Sequence, residues 1–562
     1  MRPAAADERS GPWVPVPPAR GTHGAVVAPH HLATAAGLGV LRQGGTAVDA
    51  AIATNAVLGV VAPQNCGVGG DAFWLIWDAA KGRQVALNGS GRSAAVADAA
   101  QLRAAGHQRM PFRGPLSITV PGAIRSWGDA HATYGRLSRD TILAPAIELA
   151  RDGFAASDQY IDSVESMAPI SRRLLGPDAG FDAVFRPRGR AWRPGERVRQ
   201  PALAATLETL VREGFDAFYD GDLGERQATA LAAAGSPITH DDLRAHRSTW
   251  GESIEIDYRG VRVTTHPPNS SGIVALELLG ILARFDPPEP ASFGEHGVAD
   301  ATWIHLGIEA AKLAMSDRDA YLTDPEARDV PVDELLGPDR LEALAARIDP
   351  HRAAQPAPAT NPPGGDTIFL ATVDAAGNAV SLIESNWAGF GSAVVDPGTG
   401  IHYQNRGGYF SLDPDHANVL APRKRTLHTL LPGMLFRDGQ PGPWIVVGSM
   451  GGDAQPQIHA QFVSAVVDGG LDIHTAVAAP RWFVEPREIL TPPTDVHLES
   501  RHVQGVADAL RDLGHDLVPT GAFDSLLGHE HAIELVDGGP GAPDGCVVGA
   551  TDPRSEGLPA VW

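Results

Sequence analysis

The distribution of apolar residues predicts helices in three clear places. Residues 32–41 and 49–58 are rich in small apolar side chains, which suit close packing of helices on a sheet. Residues 303–321 are the strongest case, because apolar side chains recur there on one helical face. These side chains are Ile304, Ile308, Ala311 and Met315. A strand predicted at 72–77 follows a glycine-rich loop, so we expect the amino-terminal part of the chain to be a layered α/β arrangement.

After about residue 366 the pattern changes to short strands separated by glycine-containing turns. Strands are predicted at 367–373, 379–385, 392–395 and 401–405. The residues between the first two strands have the composition of a hairpin turn. If that hairpin is regular, Val373 pairs with Ala379. The same register then places Thr367 opposite Ser385, with the β-carbons roughly 4.5–5.5 Å apart.

Composition divides the chain into a large and a small region. Residues 1–24 are rich in Pro, Ala and Arg and predict a mobile amino-terminal arm. The middle of the chain, about 140–350, is predicted to be mostly helical. Residues 351–366 are rich in Pro, Ala and Gly and show no periodicity, as is typical of a linker. We therefore expect a large region over 25–366 and a small region over 367–562.

Net charge and hydropathy exclude several classes of partner. The 562-residue chain carries a formal net charge of −22, which argues against nucleic acid and anionic membranes as partners. No apolar stretch reaches the length of a membrane-spanning helix, and the amino terminus lacks the pattern of a signal peptide. These features predict a cytoplasmic protein.

Cysteine and histidine spacing gives no indication of a metal site. Cys66 and Cys546 cannot form a disulfide framework, and no Cys/His spacing typical of zinc is present. His529-Glu530-His531 lacks the spacing of a zinc-binding helix and predicts a surface turn. We expect no metal and no cofactor.

The segment before the strand at 367–373 carries the candidate chemistry. Gly364-Gly365-Asp366-Thr367 places a threonine directly after a Pro/Gly-rich stretch and at the start of an apolar strand. If the chain is cut before Thr367, this residue gains a free α-amine. A threonine with its own amine is a nucleophile with a built-in general base. Ser385 would then supply a neighbouring hydroxyl, although Thr–Ser pairs across strands also occur for structural reasons alone.

A second candidate follows the apolar strand predicted at 444–447. Gly451 and Gly452 lie a few residues beyond its end. Consecutive glycines after a strand let backbone N–H groups converge on one point, as an oxyanion site requires. An ordinary turn from strand to helix has the same pattern, so these residues alone leave both interpretations open.

Taken together, these segments resemble the γ-glutamyltransferase family of N-terminal-nucleophile hydrolases. The resemblance extends over about residues 24–555, and its short motifs are specific through their order and spacing. The matching segments are Gly44-Gly45-Thr46-Ala47-Val48-Asp49-Ala50-Ala51, Gly67-Val68-Gly69-Gly70, Pro121-Gly122-Ala123, Ala150-Arg151-Asp152-Gly153-Phe154, Pro267-Pro268-Asn269-Ser270-Ser271-Gly272 and Asp317-Arg318-Asp319-Ala320-Tyr321.

The resemblance implies an α+β fold, the four-layer αββα sandwich of these hydrolases, and maturation by self-cleavage between Asp366 and Thr367. Thr367 would be the catalytic nucleophile, and Ser385 stands where the family has a second Thr. Gly451 and Gly452 fall on the glycines of the family's oxyanion hole. The two processed subunits would remain associated, and the heterodimers could associate further into homo-oligomers.

The residues that hold the substrate α-amine in γ-glutamyl enzymes are changed in this sequence. A family Gln is replaced by Arg406, and a family Asp by Tyr409. An Asn that follows the second hydroxyl is replaced by Trp387. An ammonium would therefore lose its carboxylate partner and meet a cation, which is the wrong sign for an α-amino group.

The side that holds the substrate carboxylate has changed as well. A family Ser-Ser pair is replaced by His428-Thr429, and the position of a family arginine is not retained, although Arg92 lies two places further on. Arg406, Arg92 and His428 could still bind a carboxylate, arginine through its bidentate fork. A structural salt bridge is the alternative for Arg406.

These departures are similar to the branch that contains oxamate amidohydrolase and the cephalosporin acylases. The leading hypothesis is a self-cleaving threonine amidohydrolase acting on a small amide that bears a carboxylate. One alternative is a true γ-glutamyltransferase or glutathione hydrolase. The alternative from another class is an unprocessed, non-catalytic binding protein with the same fold.

Overall fold

Two seven-stranded antiparallel sheets form the centre of the computed structural model, which describes residues 18–176, 180–354, 366–486 and 493–562. The strands are β1 (Ala19–Gly21), β2 (Ala25–Val27), β3 (Asp71–Asp78), β4 (Arg83–Gly89), β5 (Phe154–Ala155), β6 (Arg197–Val198), β7 (Thr249–Gly251), β8 (Ile254–Tyr258), β9 (Val261–Thr265), β10 (Phe293–Gly294), β11 (Gly297–Val298), β12 (Asp366–Val373), β13 (Ala379–Trp387), β14 (Val395–Asp396), β15 (Ile401–His402), β16 (Gly433–Arg437), β17 (Ile445–Ser449), β18 (Trp482–Pro486), β19 (Pro493–Glu499), β20 (Leu517–Thr520), β21 (Glu530–Val536), β22 (Cys546–Thr551) and β23 (Ala560–Val561).

The helices precede, separate and follow these strands. They are α1 (His31–Arg42), α2 (Ala47–Val61), α3 (Ala99–Ala104), α4 (Ala123–Tyr134), α5 (Arg139–Asp152), α6 (Asp158–Leu175), α7 (Phe181–Phe185), α8 (Pro201–Glu213), α9 (Gly221–Ala234), α10 (His240–Ala245), α11 (Gly272–Leu282), α12 (Ala301–Tyr321), α13 (Val332–Leu335), α14 (Pro338–Ala345), α15 (Gln455–Val467), α16 (Ile473–Ala478) and α17 (Val506–Asp512). Within the described residues, none of them combines the length and the apolar character that a membrane crossing needs.

The two sheets pack face to face and are covered by helices on their outer faces. One sheet has the order β1-β22-β21-β17-β16-β9-β8, and the other has the order β23-β2-β12-β13-β3-β4-β7. Apolar side chains of both sheets meet in one buried cluster between them. A second cluster joins the outer face of the β12 sheet to helices such as α2, and a third joins the outer face of the β17 sheet to helices such as α11. The predicted αββα sandwich is therefore confirmed.

The apolar residues that follow Thr367 in strand β12 pack into two different clusters. Ile368 and Leu370 lie in the cluster with the helices, whereas Phe369 and Ala371 lie in the cluster between the sheets. Successive side chains of a strand point to opposite faces, so a strand buried on both faces needs apolar residues at nearly every position.

The Gly44–Ala51 motif has a local structural purpose at the start of α2. The Thr46 hydroxyl accepts a hydrogen bond from the Asp49 N–H, and the Asp49 carboxylate accepts one from the Thr46 N–H. This reciprocal pair is a capping box, which satisfies two backbone donors that a helix terminus would otherwise leave open. The helix is then free to present small residues to the sheet.

The elements predicted from periodicity are confirmed with small changes in their bounds. Helices α1, α2 and α12 and the hairpin β12–β13 lie where the pattern placed them. The strands expected at 392–395 and 401–405 are reduced to β14 and β15. Strands β8 and β9 were not predicted, because they lie in a stretch whose overall pattern is helical.

Two expectations about the ends of the regions need correction or fall outside the description. Residues 19–21 of the predicted arm form strand β1, which pairs with β22, and residues 1–17 lie outside the described residues. The predicted linker is described only at residues 351–354 and at the backbone of Asp366.

The prediction of a surface turn at His529-Glu530-His531 is wrong. All three residues are buried, and β21 begins at Glu530. The Arg481 guanidinium lies 3.5 Å from Glu530. Burial raises the pKa of Glu530 to about 8. The sequence around these residues gave no sign of the arginine that accompanies them inside the fold.

Candidate active site

Thr367 lies beside Ser385 at the point where the β12–β13 hairpin departs from regular pairing. The predicted register holds along the hairpin up to Ile368 and shifts between Ile368 and Asp366. At this irregularity the Thr367 hydroxyl donates a hydrogen bond to Ser385 Oγ over 3.0 Å. Both residues are fully buried. The neighbour predicted from turn length is therefore confirmed, and a bulge re-aims the side chains at the strand end.

Trp387 holds the Ser385 hydroxyl from the other side. Its N–H donates to Ser385 Oγ over 2.7 Å. Trp387 has a φ of 72°, a left-handed conformation that bulky residues rarely adopt. The indole stacks on Tyr409 with the ring centroids 4.1 Å apart, and Phe112 meets it edge-on at 5.0 Å. Packing thus maintains a strained backbone, which in turn fixes the position of the second hydroxyl.

Arg406 is a buried guanidinium with incomplete hydrogen bonding. It lies in a 3₁₀ turn (Arg406–Tyr409) and is 1% exposed. Its Nη1 donates to Thr429 Oγ1 over 3.0 Å, and its charge lies 5.4 Å from the Trp387 ring centroid. Nε and Nη2 have no hydrogen-bond acceptor among the described residues. Burial lowers the pKa of Arg406 to about 10. A buried cation with open donors favours an anionic ligand over a structural role.

Tyr409 connects this arginine to a carboxylate beside the glycines. Its hydroxyl donates to Asp453 Oδ1 over 2.8 Å. Arg318 Nη1 donates to the same oxygen over 2.7 Å, and Arg318 also pairs with Asp319 at 2.8 Å. Asp453 had not been identified from the sequence, although its position directly after Gly451-Gly452 was a signal that could have found it.

Gly451 and Gly452 follow β17, which ends at Ser449. Their φ angles are 140° and 56°, values that favour glycine. Among the described residues, neither N–H donates a hydrogen bond. A pair of open amides at the end of a buried strand is suited to an oxyanion. The oxyanion role expected of these two residues stays a prediction.

The loop before β21 packs against Met450, the residue that precedes Gly451 and Gly452. The Met450 N–H donates to the His529 carbonyl over 2.9 Å. A β-carbon at Gly528 would lie 2.3 Å from the Met450 carbonyl oxygen, so this contact requires glycine. Arg481 Nη1 donates to the carbonyls of Leu527 and Gly528 over 3.1 and 3.0 Å. Arg481 thus anchors the backbone on which the oxyanion loop rests.

His428 lies beside Thr429 and is held by Asp71. Asp71 is the cross-strand partner of Ser385, and the two nearest side-chain atoms of Asp71 and His428 are 3.3 Å apart. Burial is the main cause that lowers the pKa of His428 well below its usual value. Burial also raises the pKa of Asp71 to about 7, although its Oδ1 accepts the Gly91 and Gly122 N–H groups. Both ring nitrogens already have partners, because Nε2 faces Asp71 and Nδ1 accepts a hydrogen bond from the Leu430 N–H over 3.5 Å, so a neutral His428 adds an uncharged ring to the site.

Arg92 lies apart from the residues around Thr367. Its Nη2 is 2.7 Å from Glu326, and its Nη1 donates to the Arg247 carbonyl over 3.3 Å. No contact between Arg92 and Arg406, Thr429 or Thr367 occurs in the described part of the chain. Its guanidinium already has a carboxylate partner, so the sequence-based assignment of Arg92 to the substrate site has no structural support.

Glu384 is a buried acid that sequence reasoning missed. Its Oε2 accepts a hydrogen bond from Asn55 of α2 over 2.8 Å, and its Oε1 accepts one from the Gly67 N–H over 2.9 Å. Burial raises the pKa of Glu384 to about 8. Because Glu384 precedes Ser385 on β13, it anchors the strand end to the glycine-rich loop and to α2.

One group of potential metal ligands occurs among the described residues, outside this site. Ligand atoms of His305, Glu309 and His515 lie within 4.8 Å of one another. The two imidazoles are already hydrogen-bonded at 2.7 Å, and the Lys312 ammonium lies 2.7 Å from Glu309. A metal ion would have to displace both interactions, so this group fits a structural role.

Comparison with known proteins points to one family. A family model described as gamma-glutamyltranspeptidase matches residues 33–562. The glutathione hydrolase-like YwrD proenzyme of Bacillus subtilis is 39% identical over 538 residues, covering 96% of this chain and 98% of the relative. The oxamate amidohydrolase proenzyme of Klebsiella pneumoniae is 38% identical over 550 residues, with the same two coverages of 96% and 98%. A cephalosporin acylase structure from Bacillus halodurans superimposes with a TM-score of 0.89 at 36% identity, over 99% of each chain.

Proposed function

The chain belongs to the gamma-glutamyltranspeptidase family, and from this premise we propose that it is a self-processing amidohydrolase with Thr367 as its nucleophile. The observation that carries the proposal is the hydroxyl pair at the start of β12, where Thr367 Oγ1 lies 3.0 Å from Ser385 Oγ. Family enzymes act on amide substrates and are processed into two subunits. For this chain the subunits would be residues 1–366 and 367–562.

Maturation would use the same nucleophile as turnover. Thr367 Oγ attacks the Asp366 carbonyl, the acyl group moves from nitrogen to oxygen, and water hydrolyses the ester. The new α-amine of Thr367 then acts as the general base for its own hydroxyl. Ser385 holds the Thr367 hydroxyl in place before and after cleavage.

Turnover would proceed through an ester on Thr367. The hydroxyl attacks the substrate amide, and the developing oxyanion is stabilised by the open N–H groups of Gly451 and Gly452. The α-amine passes the proton to the leaving amine. Water then attacks the ester with the α-amine as general base, which releases the acid and restores the Thr367 hydroxyl. Arg481 contributes indirectly, because it holds the loop that supports the two glycines.

The substrate would carry a carboxylate on its acyl side. Arg406 offers two open donors to it, Thr429 adds a hydroxyl, and His428 adds a neutral ring. Trp387 and Tyr409 stack on each other beside Arg406 and would form an apolar wall of this pocket. One relative acts, by its name, on oxamate, an amide whose acyl carbon carries a carboxylate, and this is the chemistry that the site described above would bind.

The test combines maturation with a substrate panel. Purified protein should resolve into two polypeptides by intact mass, and Thr367→Ala should remain one chain without activity. Two subunits in Thr367→Ala would refute the assignment of the nucleophile. The matured enzyme is then assayed with oxamate, glutaryl amides, γ-glutamyl anilide and glutathione. We expect an amide without an α-amine to be hydrolysed best, and a strict requirement for the γ-glutamyl α-amine would favour the transferase alternative.

A further inference from the structure

Asp453 carries a buried oxygen that has no partner among the described residues. Its side chain is 7% exposed. Oδ1 already accepts hydrogen bonds from Arg318 and Tyr409, whereas Oδ2 has no donor among the described residues. Arg318 is shared with Asp319, so the three groups have a net charge of −1 when both carboxylates are ionised. A buried oxygen of this kind favours a ligand that brings an N–H donor.

A cavity of about 400 Å³ lies at this carboxylate. Gly451 and Asp453 line it together with apolar residues such as Phe112, Met167 and Phe483. The charged residues Arg113 and Glu485 also line it. Neither Arg406 nor Thr429 belongs to the described residues that line it. We call it the Gly451 cavity.

The geometry of amide cleavage indicates which part of the substrate would occupy this cavity. The carbonyl oxygen of the substrate is taken to lie at the Gly451 and Gly452 amides, and its carboxylate at Arg406. The leaving amine must then extend away from Arg406. The Gly451 cavity borders the oxyanion site without bordering Arg406, so it occupies the position that a leaving group needs.

We propose that the Gly451 cavity receives the leaving amine and that Asp453 selects leaving groups with an apolar body and an additional ammonium or N–H donor. The inference rests on the proposed function, because it takes the oxyanion and carboxylate sites from it. The full substrate would then carry a negative charge on its acyl side and a hydrogen-bond donor, best an ammonium, on its leaving side. The substrate would then supply the hydrogen-bond partners that Nε and Nη2 of Arg406 and Oδ2 of Asp453 lack among the described residues.

The experiment varies the two sides of the substrate separately. The acyl group is the one hydrolysed best in the panel above, joined either to 4-methylaniline or to 4-(aminomethyl)aniline. A second pair compares glutaryl with γ-glutamyl 4-methylanilide, which moves the ammonium to the acyl side. We measure kcat/KM for the matured enzyme and for Asp453→Asn. The asparagine keeps an oxygen for Tyr409 and Arg318 and replaces the open oxygen by an NH₂ group.

The wild type should prefer the aminomethyl leaving group by about tenfold or more, as one charge-assisted hydrogen bond provides. In Asp453→Asn this ratio should fall to about 1, because the negative charge and the open acceptor oxygen are both lost. Glu485→Gln is the matched control, since Glu485 also lines the cavity but is paired with His497 at 2.9 Å. Its ratio should remain that of the wild type.

Three outcomes distinguish a failure of this inference from a failure of the proposed function. A wild-type enzyme without preference between the two leaving groups overturns the inference. A preference for the γ-glutamyl donor that disappears in Asp453→Asn overturns it too, because Asp453 would then serve the acyl side. A matured enzyme that cleaves no carboxylated anilide contradicts the proposed function itself.

Product inhibition supplies a measurement that needs no variant. 4-(Aminomethyl)aniline should inhibit the wild type at a lower concentration than 4-methylaniline. Equal inhibition by the two amines would count against the inference even if Asp453→Asn failed to fold.

Discussion

Replacing Arg406 by methionine should weaken substrate binding while the fold remains as stable as before, or becomes more stable. Methionine is long and apolar and can occupy the space beside Trp387 and Tyr409. The substitution removes a buried cation whose described side-chain hydrogen bonding consists of one bond to Thr429. It also removes Nε and Nη2, which lack an acceptor among the described residues. The two effects have opposite signs, so the experiment separates a binding role from a structural one.

The magnitudes follow from the contacts of the guanidinium. Each hydrogen bond from a charged group contributes about 1.5–3 kcal/mol, so two bonds to a substrate carboxylate correspond to a loss of about 100-fold or more in kcat/KM. For the fold, the lost Thr429 bond and the cation–π contacts cost about 2–3 kcal/mol. Relief of the buried charge offsets several kcal/mol. We therefore expect the free energy of unfolding to change by between zero and about +2 kcal/mol.

The assay measures both quantities. Activity is compared for a carboxylated amide and its carboxamide isostere, and only the first should lose activity in Arg406→Met. Stability is measured by urea unfolding in a Thr367→Ala background, which keeps one chain. Arg425→Met is the control, because Arg425 is equally buried but bonds Ser90 and Glu326, and it should destabilise the fold. Marked destabilisation by Arg406→Met, with equal loss on both substrates, would refute the reasoning.

Three further predictions follow from the site. Ser385→Ala should slow self-cleavage by about 10- to 100-fold, because the Thr367 hydroxyl and a buried backbone N–H lose their partner. Gel densitometry over time measures this, Ser385→Thr should restore most of the rate, and a wild-type rate in the alanine variant would contradict it. Arg481→Met should lower kcat by about tenfold or more with little change in KM, because the oxyanion loop loses its support. Steady-state kinetics of the matured enzyme check this, and a change confined to KM would argue against it. Because burial raises the pKa of Glu384 from 4.5 to about 8, the folded chain keeps a proton at Glu384 that the unfolded chain releases, so the contribution of Glu384 to the free energy of unfolding should fall as pH rises from about 5 to about 8. Urea unfolding of Thr367→Ala with and without Glu384→Gln should show the parent losing stability relative to the glutamine variant across this range, whereas a difference that does not change with pH would contradict the assignment.

The parts of the fold that could be predicted are those specified by nearby residues. The periodicity of 303–321 is contained within the helix itself, and the register of the β12–β13 hairpin follows from the length of its turn. Strand β9 pairs with β16, far along the chain, and β8 pairs with β9. Their own composition does not distinguish these two strands from the helical stretch around them. The bulge at Thr367 could not be predicted either, because turn length fixes the register only while pairing stays regular.

The candidate site divides in the same way. Thr367, Ser385 and Trp387 were brought together as the hairpin required. That Arg406 is buried without a carboxylate partner could not be predicted, because this depends on residues distant in sequence. The surface turn expected around Glu530 failed for the same reason, since Arg481 accompanies that acid inside the fold.

Both sheets contain strands from both regions. In one sheet β2 of the large region lies between β23 and β12 of the small region, and in the other β9 of the large region pairs with β16 of the small region. Before cleavage the molecule can unfold and refold as one chain. After cleavage the same architecture would have to reassemble from two polypeptides, at a rate that depends on their concentration. The lifetime of the mature protein would then be set by its rate of unfolding, because two separated polypeptides cannot refold in a unimolecular step.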